Sequence, residues 1–375
     1  ILRNLRKCFT SAYGEEQHAF RQKSSTTTAL IHVTDTALMC LNDRSLFGSA
    51  IVSFDMSKAF DTVHHSLAIQ KLDKSGFPQG FLCWLSSYFH DRRGMLRIGG
   101  VCSDEFPICR GVPQGSVLGP PLFCSFISSI NSYRPKVTTV KFADDITLIV
   151  PLRTRDPTEI KSLIDSETNA ISNLCTKDHL TLNVAKSKVL FATRHSITFD
   201  DPPILPQVQS LKLLGVVLNE KLNWSSHVDY ICTKSAQRIH ILRRLKGFVS
   251  ADDLHLVYIS AIRSLLEYAS PVLVGLNHKL SQRLQKIDKR AHRIMAGFLN
   301  PVPSNCECSS VTLRDRRLLA SERLFHSIET QPTHPLFHRV PNKLPNSQQL
   351  SIPLASAGKY YYSFFPTITR HQNGL

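Results

Sequence analysis

KFADDITLIV, residues 141–150, sets two adjacent aspartates inside an otherwise apolar, β-prone run. Taking an uncompensated carboxylate out of water costs several kcal/mol or more, so Asp144 and Asp145 need solvent or a partner. Asp-Asp is good turn chemistry, and the pair can simply close a hairpin between TTVKFA and ITLIV. Alternatively, the turn presents carboxylates to a metal. Consecutive residues of a regular strand point to opposite faces, so a tight turn is needed to bring both to one tip. A second run, SAIVSFDM at 49–56, ends on Asp55, again framed by apolar residues. If the two strands pair, three carboxylates converge. Hard oxygen donors in that number suit Mg²⁺, which takes a few carboxylates and completes its octahedron with water and substrate phosphate. Two such ions about 4 Å apart would stabilise the attacking and leaving oxygens of an in-line phosphoryl transfer. A turn pair plus an N-cap Asp55 accounts for the spacing equally well.

The rest of the chain bounds the choice. Its 375 residues, 42% of them hydrophobic, suffice for two or three packed units of a globular protein. No apolar run approaches the roughly 18 residues of a membrane span, so no membrane partner is expected. The chain begins at Ile1 with neither a starting Met nor a signal-peptide pattern, and reads as a piece of a longer protein. The ten cysteines are scattered, the closest pair being Cys306 and Cys308, with no CxxC and no zinc-finger spacing. Reduced thiols in nucleus or cytoplasm fit that usage, and secretion does not. The net charge of +16, densest over residues 151–300, favours a polyanionic partner, nucleic acid first.

Periodicity predicts helices through much of 1–46, a buried strand at 49–56 and a single helix over SKAFDTVHHSLAIQKLDKSG, stopped at Gly76. An amphipathic helix at 79–93 leads into a hairpin. Next come a Gly/Pro loop running into an apolar helix (110–130), the hairpin at 137–150 and a helix at 157–177. Residues 179–193 read as a strand pair or a strand with an Asn/Lys turn, and 211–224 as a further β element. The pattern from 225 to 300 is helical throughout. In its last helix Leu280, Leu284, Ile287, Ala291, Ile294 and Phe298 share one face, and Lys279, Arg283, Lys286, Lys289, Arg290 and Arg293 occupy much of the rest. Beyond 301 only RRLLASERLFHSI is periodic. The expected class is α+β followed by an α-helical region.

Asp55, Phe60, Gly111–Pro113–Gln114–Gly115, Ala143–Asp144–Asp145, Asn183 and Lys186 follow one another in an order that resembles the reverse transcriptases of non-LTR (LINE-type), jockey-like retrotransposons. The matching stretches are QHAFRQKSSTTTAL, FDMSKAFDTVHHSL, RGVPQGSVLGPPLF, KFADDITLIV, LTLNVAKSK, LKLLGVVLNEKLNWSSHV, LVYISAIRSLLEYASPVL and LQKIDKRAHRIMAG, spread over roughly residues 11–300. The resemblance implies a right-hand polymerase fold. Partial fingers and a palm with an antiparallel sheet would occupy 1–225, an α-helical thumb 226–300, and a tail of uncertain structure 301–375.

It also implies roles. Asp55 and Asp144 match the two aspartates that hold both catalytic metals, and Asp145 the doublet's second carboxylate. The Met56 carbonyl would be a further ligand. Phe60 matches the steric gate that excludes a 2′-hydroxyl, although its position also suits plain helix core. Gln114 matches the residue contacting the incoming nucleotide, with Gly111 and Gly115 letting backbone approach the substrate. Lys186 matches a lysine near the triphosphate, able to protonate pyrophosphate as a general acid; Lys188 lies close by. The cofactor implied is Mg²⁺, two ions, with Mn²⁺ as a substitute. The partners are an RNA template, a DNA primer and dNTPs. The reaction is attack of a primer 3′-hydroxyl on a dNTP α-phosphate, releasing pyrophosphate. His64 and His65 match a common family sequence but receive no chemical role.

The match has gaps. Only about sixteen residues precede QHAFRQ, where the family's fingertip segment lies, and neither the N-terminal endonuclease nor the C-terminal Cys/His cluster is seen. Pro121 replaces the usual leucine of GPLLF, tolerable in a helix's first turn and disruptive one turn later. A viral RNA-dependent RNA polymerase is disfavoured by Phe60 and the Ala143–Asp144–Asp145 run. A truncated or decayed element copy that binds nucleic acid without polymerising is the alternative in another class.

Overall fold

The computed structural model describes residues 2–296, 311–345, 347–355 and 358–374. They form two compact units, one of residues 1–25, 50–189 and 197–207, the other of 26–49, 190–196 and 208–375. The boundary runs through strands β1 (Gly48–Phe54) and β8 (Lys188–Thr193). The proposed positions Phe298, Cys306 and Cys308 lie outside the described residues.

In the first unit, β6 (Thr138–Phe142) and β7 (Asp145–Leu152) pair antiparallel; the strand order of the four-stranded sheet is β6-β7-β1-β8. Ile146 to Val150 of β7 are all buried, as a strand covered on both faces requires, hence a run that is apolar but for Thr147. Around the sheet lie α1 (Leu2–Ala12), α3 (Ala59–Thr62), α4 (His65–Lys74), α5 (Gln79–Phe89), α6 (Gly119–Phe126) and α7 (Pro157–Lys177). An exposed ribbon is built from β2 (Arg93–Gly94) paired with β5 (Phe106–Pro107) and β3 (Arg97–Ile98) paired with β4 (Val101–Cys102).

The single helix expected over 57–76 is two. Val63 leaves the helical region at ψ 121°, because its carbonyl accepts the Gly111 N–H at 2.8 Å and His64 bridges Arg110. Those bonds come from residues nearly fifty positions downstream, invisible to local periodicity.

The second unit contains α2 (Thr26–Asn42), the hairpin β9 (Ser210–Leu213) with β10 (Val216–Asn219), and the helices α8 (Ser225–Leu245), α9 (Ala251–Val257), α10 (Ser264–Glu267), α11 (His278–Ala296), α12 (Leu313–Glu329), α13 (Gly358–Tyr361) and α14 (Phe364–Gln372). Uninterrupted helix across 225–300 is not observed. The chain breaks at Gly247, where φ is +121°, and again at Ala269, where φ is +50°. Between them Tyr258–Arg263 form a π-helical turn. Val228, Ile231, Ile239, Tyr258, Ile262, Leu284, Ala291 and Met295 share one buried cluster, within which the Tyr258 hydroxyl donates to Asp288 at 2.5 Å. Lys279, Lys286, Lys289, Arg290 and Arg293 of α11 remain exposed, while Arg283 pairs with Asp229 at 2.6 Å. Among the described residues no helix is long and apolar enough to cross a membrane.

Candidate active site

The hairpin decides where the aspartates point. Phe142 pairs with Asp145, leaving Ala143 and Asp144 as a two-residue turn. Ala143 sits in the left-handed region at φ +54°, which costs a residue with a Cβ about 1–2 kcal/mol. The cost is offset by a buried side chain: the Gln17 Oε1 accepts the Ala143 N–H at 3.0 Å and the Ala19 N–H at 2.9 Å. Residues 16–18 run beside β6, where His18 N–H donates to the Lys141 carbonyl at 2.9 Å and Lys141 N–H to the Glu16 carbonyl at 2.8 Å. Gln17 thus fixes the turn from 126 residues away. Nothing in the local sequence announces that role.

Gln17→Leu should leave the Ala143 N–H buried without an acceptor and lower stability by about 1–3 kcal/mol. Urea denaturation would read this as a lower midpoint. An unchanged midpoint would show that the turn holds without Gln17.

Asp55 follows directly on β1. Its carbonyl accepts the Asn183 N–H at 2.8 Å, and Ser57 N–H donates to the Thr181 carbonyl at 2.9 Å. Met56 therefore faces Leu182 as the non-hydrogen-bonded pair, and its own N–H and C=O turn to the opposite edge. That is the side on which β7 neighbours β1. The Ser187 hydroxyl accepts the Asp55 N–H at 3.1 Å and donates to the Asn183 carbonyl at 2.8 Å. One serine ties Asp55 to the exposed loop that carries Lys186.

Asp145 is exposed at the start of β7, yet its carboxyl is pushed up to about 6. Partial desolvation contributes most, followed by the negative charges of Asp144 and then Asp55. Asp145 therefore feels the charge of both other carboxylates. No group of three or more His, Cys, Asp and Glu is arranged to hold a metal ion among the described residues. Mg²⁺ ordinarily takes one or two carboxylates and relies on substrate phosphates for the rest. The like charges acting on Asp145, together with the hard oxygen donors, are what such an ion would offset.

Phe60 and Gln114 meet across a loop fastened to α3 and α4. Val112 N–H donates to the Phe60 carbonyl at 2.9 Å, Gly111 N–H to Val63, and the His65 Nε2 donates to the Gly111 carbonyl at 2.8 Å. His65 stacks on Phe89 with ring centroids 4.1 Å apart, so it positions the loop, a function its sequence context did not reveal. Burial holds the His65 imidazole below its ordinary range, consistent with a neutral Nε2–H donor. The Gln114 Nε2 donates to Asp61 at 2.7 Å, and the Phe60 ring stacks on Phe123 at 4.0 Å. A cavity of about 260 Å³ is lined by Phe60, Pro113, Gln114, Gly115, Gly119 and Pro120. Lys186 is not part of that lining.

α6 starts beside this cavity. Pro120 and Pro121 both fall within its first turn, where backbone N–H groups have no intrahelical partner, so the substitution at 121 costs no hydrogen bond. The other end is held by two lysines. Lys71 Nζ donates to the Phe126 carbonyl at 2.6 Å and pairs with Asp178. Lys141 Nζ, fully buried, donates to the carbonyls of Ile127 at 3.1 Å and Ser128 at 2.9 Å. Positive charge at a helix C-terminus is favourable, although burial pulls the Lys141 amine down to about 8.

Residues 1–218 match the family model described as reverse transcriptase (RNA-dependent DNA polymerase). "Probable RNA-directed DNA polymerase from transposon BS" of Drosophila melanogaster is 28% identical over 296 residues, covering 74% of this chain and 32% of that protein. "RNA-directed DNA polymerase from mobile element jockey" of the same species is 28% identical over 247 residues, 62% of this chain and 26% of that one. The chain thus spans about a third or less of these curated relatives. A telomerase from Candida albicans, solved with a fragment of telomeric RNA, aligns with 90% of this chain and 55% of its own at 13% identity and a TM-score of 0.43. That likeness carries no argument about function.

Proposed function

The chain belongs to the reverse transcriptase (RNA-dependent DNA polymerase) family, and we propose from that premise that it extends a primer on an RNA template with dNTPs, as the polymerase of a non-LTR mobile element. The reading is carried by one observation, the crowding of Asp55, Asp144 and Asp145 at the paired ends of β1 and the β6–β7 turn. Asp55, Asp144 and the Met56 carbonyl would hold Mg²⁺, which when bound supplies charge stabilisation for phosphoryl transfer. Asp145, which the resemblance also counts among the metal-holding carboxylates, would add its negative charge to theirs.

In this reading Phe60, Gln114 and Gly115 form the nucleotide's sugar and base side of the site. Gly111 sets the loop, and Lys186 delivers a proton to pyrophosphate from the loop joined to Asp55. Residues 1–225 act as partial fingers and palm, and 226–300 as a thumb. The exposed basic face of α11 would grip the template–primer duplex through its phosphates in a salt-dependent way. Catalysis of this kind is positioning plus charge stabilisation.

The test is primer extension on an RNA template with Mg²⁺, comparing dNTPs with rNTPs. Incorporation of dNTPs is expected, with rNTPs disfavoured. Phe60→Val opens the wall of the cavity where the ring now stacks on Phe123, and should relax discrimination against rNTPs about a hundredfold. Unchanged discrimination would reduce Phe60 to helix packing. Duplex binding with no extension under any condition would overturn the polymerase reading in favour of a nucleic-acid-binding remnant.

A further inference from the structure

The second unit holds a cavity of about 570 Å³ at the first turn of α11, and three arginines line it with no aspartate or glutamate. Arg317 of α12 is only 4% exposed. Its guanidinium makes no hydrogen bond or ion pair among the described residues. Arg370 donates through Nη2 to the Tyr361 carbonyl at 2.6 Å, while its Nη1 is buried with no acceptor. Arg314 adds a third charge from the exposed rim.

The neighbouring acids are already engaged. Glu267 pairs with Arg316 and Arg263, Glu322 with His371, and Asp315 caps its own helix through Thr312. Burial, and then the like charge of Arg314, drag the Arg317 guanidinium down to about 10. Asn277, whose Oδ1 accepts the Leu280 N–H at 2.9 Å, and His278 and Ser281 of the first turn of the 19-residue α11 also line the cavity, which brings the positive helix end to the same space.

A buried guanidinium left without an anion is among the costliest arrangements a fold can keep. Planar forks of this sort match phosphate or carboxylate. Tyr362, 58% exposed, also lines the cavity and offers an aromatic face beside the charges. Arginine with an exposed ring is the combination that holds a phosphate and stacks a base. We propose that this cavity binds a phosphodiester of a single-stranded nucleic-acid segment, the phosphate on Arg314, Arg317 and Arg370 and a flanking base on Tyr362. The anion site stands on the arginines alone, whereas the choice of nucleic acid as its carrier rests on the polymerase reading above.

The experiment is run in EDTA, so that it does not depend on polymerisation. Thermal unfolding with and without inorganic phosphate, and binding of a single-stranded oligothymidylate, are measured for the parent chain, Arg317→Met and Tyr362→Ala. The parent should unfold at a higher temperature with phosphate. Arg317→Met should lose that shift yet be at least as stable as the parent without phosphate, since an uncompensated buried charge has gone. Its oligonucleotide affinity should fall about tenfold. Tyr362→Ala should keep the phosphate shift and lose oligonucleotide affinity. An Arg317→Met protein that still responds to phosphate like the parent overturns the site. A lost phosphate response with undiminished oligonucleotide binding overturns the nucleic-acid assignment. Failure of the polymerase reading would show separately, as absent primer extension.

Discussion

Asp144→Asn is expected to slow primer extension on an RNA template about a thousandfold, equivalent to about 4 kcal/mol of transition-state stabilisation. Asparagine keeps the size and turn propensity of aspartate, so the two-residue turn and the Phe142–Asp145 pair should survive. What disappears is one of the two negative charges that now act on Asp145. The same variant should therefore unfold at the parent's temperature or slightly above it, because relief of like-charge repulsion is stabilising. The opposed signs separate chemistry from folding. Extension at the parent's rate by Asp144→Asn would remove Asp144 from the site. A large loss of stability would show instead that the carboxylate holds the turn together.

Gly111→Ala should cost about 2–4 kcal/mol of stability and take nucleotide binding with it. Gly111 has φ +87°, a region that side chains resist. A Cβ there would stand 2.9 Å from both the Cα and the carbonyl oxygen of Asp61, backbone atoms that cannot swing aside. The loop must then leave α3, breaking its bonds to Phe60 and Val63 and moving Gln114 away from Asp61. Chemical denaturation gives the stability, and the KM for dNTP gives the loop. Gly115→Ala is the internal control, since a Cβ at Gly115 meets nothing within 4 Å and only its φ of +76° is strained. Equal losses from the two variants would mean that the contact with Asp61 is unimportant.

How much of this could be read from residues alone depends on the range of the forces. The β6–β7 hairpin and the helix Pro157–Lys177, capped by Asp156 onto Thr158 N–H, are written in alternation, period and cap, and appear where expected. The tail beyond 301 shows the opposite: α14 is buried through Phe364, Phe365, Ile368 and Thr369, although its short segment gives too few turns for periodicity to reveal. The break at Ala269 has a local signal in Pro271, two residues on at the start of the next helical turn, which the helical periodicity of 225–300 masks. There the neighbouring Tyr268 hydroxyl donates to the Leu214 carbonyl at 2.7 Å, a tertiary bond that overrides helical preference.

In the candidate site, the chemistry-bearing residues are legible because carboxylates in apolar strands and glycines beside a glutamine are locally odd. The residues that position them are not. Gln17, His65, Lys141 and Ser187 look ordinary in their own neighbourhoods and act on groups 126, 46, 14 and 132 residues away.

Those separations also impose an order on synthesis. Because residues 16–18, Gln17 among them, leave the ribosome first, the receptor for the Ala143 turn is waiting when residue 145 emerges, and the turn can close at once. Asp55 is made far earlier than Asp144, yet its backbone has no fixed partner until Asn183 and Ser187 have been translated. The carboxylate that is first in the chain is thus the last to be seated, and a nascent chain halted between 145 and 187 would carry a finished hairpin beside an unanchored Asp55.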